Sequence, residues 1–199
     1  MYAEEPPIGF DIVEIGEVQD GWEDTWRDFH HGIVVGRLWV GPPWDTAPAG
    51  ALSVVIDPGR AFGTGAHPTT RLCLELLQDV VPSSLVDVGC GSGVLSIAAA
   101  RLGFAPVSAL DIDEVALEVT AANAATNGVE LELVTEPPPA ALAVMNIALD
   151  VVERVLPELP VERAIVSGYL ERDEPLAPGW HGVERRVRDG WAADLLERG

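Results

Sequence analysis

Between Val86 and Ala100 the chain reads VDVGCGSGVLSIAAA, an apolar strand that runs through Gly89, Gly91 and Gly93 straight into an alanine-rich helix. Glycines so spaced permit a tight turn and let a ligand approach the backbone, and the helix behind them starts with N–H groups that lack internal partners. Asp87 stands two residues ahead of the turn, and Asp111 closes the next strand, in ALDIDE, 22 residues beyond Gly89. A carboxylate in that place can accept two hydrogen bonds from the vicinal hydroxyls of a ribose. The pair of features implies an adenosine-containing cofactor at the mouth of a doubly wound sheet. The turn is G-x-G-x-G, not the G-x-G-x-x-G of dinucleotide-binding proteins. By itself it also fits a ligand-free glycine turn; Asp111 is what weighs against that.

A second stretch, DPGRAFGTGAHPTTRLCLELL from Asp57 to Leu77, crowds glycines, prolines, threonines and His67 ahead of an apolar helical stripe. His67 could position or deprotonate an acceptor group, or simply bond backbone in a tight loop. Asp57 is suited to anchoring the loop, and Asp113 to capping the helix that follows it. Asn146 ends a strand, where its amide faces a ligand or caps the next helix.

These residues need a scaffold, and the remaining pattern supplies one. Strands are expected at SVVI (53–56), LVDVG (85–89), VSALD (107–111), LELV (131–134), LAVMNI (142–147) and RAIVSGYL (163–170). Between them lie helical stretches at 68–79, 94–101, 113–127 and 150–156, with Asn127-Gly128 as a stop. Alternation of this kind implies a mainly parallel sheet with helices on both faces. VERRVRDGWAADLL adds an antiparallel hairpin turning at Asp189-Gly190. The fold class is α/β, with residues 51–199 as the catalytic domain. Residues 1–50 form an extension, with a short helix carrying Trp22 and Trp26 and one strand over VVGRLWV.

Composition narrows the partners. With 12 basic and 32 acidic residues the net charge is −20, the opposite of a phosphate-backbone footprint. Such a charge suits solubility, or attraction of a cationic partner. All twelve basic residues are arginine. No apolar run reaches the length of a membrane span, and the acidic N-terminus does not read as a signal peptide. Cys73 and Cys90, the only cysteines, have neither metal-ligand spacing nor the look of a disulfide framework, so a cytoplasmic location and no metal are expected.

D-x-G-x-G-x-G closing one strand and an acid closing the next resemble motif I of class I S-adenosylmethionine-dependent methyltransferases, a Rossmann-like fold. AFGTGAHPTT, VDVGCGSGVLSIAAARLG, DIDEVALEVTAANAATNGV, VMNIAL, SGYLERD and the late GW narrow the resemblance to PrmA-type methyltransferases of ribosomal protein L11. It covers roughly residues 20–199. The resemblance implies S-adenosylmethionine as cofactor, with contacts from Phe62, Gly63, Thr64, Thr70, Asp87, Gly89, Gly91, Gly93, Asp111, Ile112 and Asn146. Phe62, Gly63 and Thr64 would form a mobile cover over its methionine end. Asn146 and His67 are the catalytic candidates: an asparagine that accepts from an attacking amine suits nitrogen methylation. No Pro-Pro-Tyr follows Asn146, which counts against glutamine and adenine as substrates. The family carries an N-terminal domain that grips the ribosomal protein, and here only about fifty residues precede VVIDPG. Three readings stay open: a protein N-methyltransferase acting on lysine or α-amino groups of a basic protein, a methyltransferase for a small amine, and a cofactor-binding module without activity.

Overall fold

A computed structural model of the chain describes residues 31–57 and 65–199. Two sheets organise them. Strands β1 (Ile33–Val35), β2 (Leu38–Gly41) and β3 (Leu52–Val55) form a small sheet, β1 antiparallel and β3 parallel to β2. The large sheet contains β4 (Leu85–Val88), β5 (Val107–Leu110), β6 (Glu132–Leu133), β7 (Ala140–Asn146), β8 (Val161–Leu170), β9 (Trp180–Arg188) and β10 (Trp191–Arg198). Its order is β6-β5-β4-β7-β8-β10-β9, parallel from β6 through β8 and antiparallel in the closing hairpin. This is the mainly parallel sheet with a terminal hairpin that the alternation implies. The single strand expected over VVGRLWV is instead a hairpin: Gly36, at φ 57°, turns the chain between β1 and β2. The expected helix around Trp22 and Trp26 lies outside the described residues.

Local chemistry sets the helix limits. Helix α1 (Pro68–Asp79) starts at a proline, whose missing N–H is no loss in a first turn, with His67 as its N-cap. Helix α2 (Val94–Leu102) lies between Gly93 and Gly103, both left-handed. Asp113 caps α3 (Glu114–Asn127) by accepting from the Val115 N–H at 2.9 Å, and Gly128 ends it in the left-handed conformation, as the sequence implies. Helix α4 (Leu149–Val155) is short and runs into a 3-10 turn. Among the described residues no helix is long and apolar enough to cross a membrane.

The apolar residues separate into two cores. On one face Leu72 and Leu76 of α1 and Ile97 and Ala98 of α2 pack between Leu142, Val144 and Ile165 of the large sheet and Val40, Val54 and Ile56 of the small one. On the other, Val86, Met145 and Val166 meet Val152 and Leu156 around α4. Both cysteines are buried and unpaired. The parallel strands end at one edge between these two packed layers, and that edge carries the candidate site.

Candidate active site

Strand register gathers residues that are distant in sequence. Asp87 of β4 lies opposite Ala109 of β5 and Val144 of β7. Two positions further along each chain, Gly89, Asp111 and Asn146 come level at the carboxyl ends of three adjacent parallel strands, and Asn146 pairs with Ser167 of β8. Ligands of open α/β sheets bind at this edge.

The turn after β4 is left-handed at each glycine, with φ of 79° at Gly89, 56° at Gly91 and 78° at Gly93. A Cβ on Gly89 would stand 2.5 Å from Cγ2 of Ile147, so the first of these positions takes glycine on steric grounds as well. Asp111 ties the turn to β5. Its Oδ2 accepts from the Gly91 N–H at 2.9 Å and its Oδ1 from the Asp113 N–H at 3.0 Å. A carboxylate has room for about four such bonds, so two acceptor positions remain for a ligand. Ile112, next in the chain, is fully exposed, an uncommon setting for an isoleucine beside a binding edge.

Beneath the turn, Asp87 is buried. Its Oδ2 accepts from the Ser96 hydroxyl at 2.5 Å and the Ser96 N–H at 3.1 Å. Burial pushes the Asp87 carboxyl up to about 6 in spite of those two bonds, with the Asp111 charge adding slightly to the rise. Its Oδ1 is buried and finds no partner among the described residues. Asn146 repeats the pattern: Nδ2 donates to Thr70 Oγ1 at 3.2 Å, while Oδ1 is buried without a partner among them. Thr70 is itself buried, so α1 sends this hydroxyl inward. Asn146 does not cap α4, whose N-cap is Ala148. Buried polar atoms are nearly always satisfied in folded proteins, so two such acceptors at one edge fit a ligand that donates to them.

His67 serves α1. Its Nδ1 lies 2.7 Å from Thr69 Oγ1 and accepts weakly from the Thr69 N–H at 3.4 Å, and its ring stands edge-on to Trp191 at 4.8 Å. The backbone-bonding role anticipated for it is thus present. Phe62, Gly63 and Thr64 lie outside the described residues. The Asp57 N–H, just ahead of them, donates to Asn123 Oδ1 at 3.2 Å.

Sequence reading passed over Ser96, Thr120 and Asn123, and took Asn127 only as part of a helix stop. Ser96 looks like one small residue among the alanines of α2, yet it is the sole described hydrogen-bond partner of Asp87. The other three sit on α3, where polar residues are ordinarily read as a solvated face. A usable signal was their spacing at i, i+3 and i+7 on a helix whose remaining residues are mostly small.

Similarity to known proteins agrees with this geometry. Residues 8–193 match the family model described as ribosomal protein L11 methyltransferase (PrmA). The chain is 46% identical over 135 residues to the ribosomal protein L11 methyltransferase of Shewanella sediminis, covering 65% of this chain and 46% of that protein. It is 38% identical over 201 residues to the Yersinia pseudotuberculosis protein of the same name, covering 95% of this chain and 69% of that one. This chain spans about half the length of most of the curated relatives it matches. A crystal structure of the ribosomal protein L11 methylase from Lactobacillus delbrueckii subsp. bulgaricus superposes with a TM-score of 0.72 at 29% identity, over 84% of this chain and 98% of that one. The match over residues 8–193 and the identity to the Yersinia pseudotuberculosis relative show that the chain belongs to the ribosomal protein L11 methyltransferase (PrmA) family.

Proposed function

We propose that this protein is an S-adenosylmethionine-dependent N-methyltransferase that modifies lysine or α-amino nitrogens of ribosomal protein L11 in the cytoplasm. The observation that carries the reading is the level row of Gly89, Asp111 and Asn146, with the unpartnered buried acceptors Asp87 Oδ1 and Asn146 Oδ1 beside it. Asp111 has acceptor positions for ribose hydroxyls, and the bare side chain of Ile112 offers an apolar surface to a planar base. The glycine turn admits close approach of the cofactor chain, and Asp87 supplies a carboxylate oxygen for a cationic group.

When bound, S-adenosylmethionine supplies a methyl carbon already made electrophilic by its sulfonium, which leaves placement of the nucleophile to the protein. Asn146 Oδ1 is suited to accept from the incoming amine and so aim its lone pair, while the Thr70 contact fixes the rotation of the amide. An alkyl amine with a solution pKa near 10.4 must first lose a proton. Entry into an apolar site lowers that value, and His67, the N-cap of α1, is the candidate base. A net charge of −20 draws a cationic protein toward the enzyme over a Debye length.

Calorimetric titration with S-adenosylmethionine, followed by transfer of labelled methyl groups to purified ribosomal protein L11, tests this. Saturable binding and label in that protein are expected. Label in small amines but not in the ribosomal protein would reject the substrate. An absence of binding at millimolar cofactor would reject the enzyme reading altogether.

A further inference from the structure

Helix α3 turns a stripe of polar side chains into the protein. Thr120, Asn123 and Asn127 are 0%, 3% and 4% exposed. The Thr120 hydroxyl donates to the Gly91 carbonyl at 3.0 Å and lies 3.4 Å from Cys90 Sγ. The Asn123 amide donates to the Ser92 carbonyl at 2.9 Å and accepts from the Asp57 N–H at 3.2 Å. Asn127, one turn on, does not touch the glycine turn; it accepts from the Val55 N–H at 2.8 Å and donates to the Val55 carbonyl at 2.7 Å.

Burying three polar side chains on an alanine-rich helix is unfavourable unless each finds partners, and apolar residues would fill the same space without that demand. What the stripe adds is direction. In a trans peptide the C=O and the following N–H point opposite ways. Holding the Gly91 and Ser92 carbonyls toward α3 therefore fixes how the two peptide planes of the turn face. Left-handed glycines have little conformational preference of their own, so such a turn depends on outside restraint. Its other restraints include the Gly89 and Cys90 N–H groups to the Leu110 carbonyl at 2.9 and 3.1 Å, the Gly91 N–H to Asp111 and the Gly93 N–H to the Cys90 carbonyl at 2.8 Å; none of these holds the Gly91 or Ser92 carbonyl.

We infer that Thr120 and Asn123 are positioning residues for the cofactor turn: they preset the peptide planes at Gly91 and Ser92, while Asn127, equally buried, holds the Val55 backbone instead. The inference rests on the reading above for the identity of the cofactor, but not for the geometry of the turn. The test compares Thr120→Val, Thr120→Ser, Asn123→Ala and Asn127→Ala by amide hydrogen exchange over residues 88–95 in the cofactor-free protein, and by titration with S-adenosylhomocysteine. Thr120→Val and Asn123→Ala are expected to speed exchange at the turn and raise the Kd, each by about tenfold. Thr120→Ser, which keeps the hydroxyl, restores both values. Asn127→Ala lowers the Tm but leaves turn exchange and Kd within about twofold, below the effect of one lost hydrogen bond. The inference is overturned if Thr120→Val and Asn123→Ala match Asn127→Ala at the turn. Faster turn exchange in a protein that binds no S-adenosylhomocysteine would uphold the inference and reject the cofactor.

Discussion

The two halves of the large sheet use polar groups in opposite ways. Where β4, β5 and β7 end, carboxylates, hydroxyls and amides are drawn inside and committed to backbone: Asp87 to Ser96, Asp111 to Gly91, Thr120 and Asn123 to the turn carbonyls. Around the β9–β10 hairpin, charges pair at the rim instead. Arg186 meets Asp79 at 2.5 Å, Arg188 meets Glu75 at 2.7 Å and Arg163 meets Glu197 at 3.0 Å, and every partner is at least a quarter exposed. A buried network there, Tyr169 donating to Asp194 at 2.7 Å with Arg185 at 3.6 Å, ties β8 to the hairpin. An exposed ion pair contributes roughly 0–1 kcal/mol, whereas a buried polar group stripped of its partner costs about 1–3 kcal/mol. The parallel half is thus the brittle one and the hairpin the tolerant one.

The seam between the halves should give the largest effect. Gly168 is the extra residue of a bulge in β8: Ala193 faces Ser167 and Ala192 faces Tyr169, with Gly168 skipped. Its φ is 107°, and an added Cβ would stand 2.1 Å from the Ile147 carbonyl oxygen, a backbone atom with no room to yield. Gly168→Ala should cost about 3–5 kcal/mol and lower the Tm by about 10 °C on a thermal melt. A variant that melts like wild type would show that the two halves are not joined at this point.

Next comes Asp111→Ala. Loss of the proposed ribose acceptor and of the Gly91 tether together should weaken cofactor binding by about 1–3 kcal/mol in a calorimetric titration. Unchanged affinity would move the ribose away from β5.

The third prediction concerns pH. Burial holds the native Asp87 carboxyl near 6, above the ordinary 3.8, so the native state binds the extra proton between those values. The contribution of Asp87 to stability is therefore full below about pH 4 and is lost as pH rises through 6. Asp87→Asn removes the charge, so the Tm of the variant minus that of wild type should be more positive at pH 8 than at pH 4. The same titration should weaken cofactor binding in wild type below pH 6, and the variant should lose that dependence. A Tm difference that does not vary with pH would place the Asp87 charge in water.

The smallest effect belongs to the rim. Glu75→Gln breaks the pair with Arg188 and should change stability by less than about 1 kcal/mol, with cofactor affinity untouched. A larger loss would blur the contrast between the halves.

Much of this was legible in the residues. Pro68 and Gly128 mark helix ends because proline and glycine have few structural alternatives there, and Asp189-Gly190 marks the hairpin for the same reason. Asp111 and Asn146 stand at the strand ends where the apolar pattern of the sequence puts them. Contacts across the fold were not legible. Ser96, nine residues from Asp87, and Asn123, 31 residues from Ser92, are ordinary helix residues until the helices dock. His67 shows both sides: bonding to nearby backbone is one of its two sequence readings and is present, whereas its ring contact with Trp191 arises only when the elements dock.

Asn127 has a further consequence, for how the molecule keeps to itself. Strand β3 is the outer strand of the small sheet, and an outer strand presents unpaired N–H and C=O groups on which another chain can build. The Asn127 side chain meets both such groups of Val55, occupying the place a neighbouring strand's peptide would take. A helix thereby lends one amide to close a sheet, and an incoming strand would find its docking point at Val55 already filled.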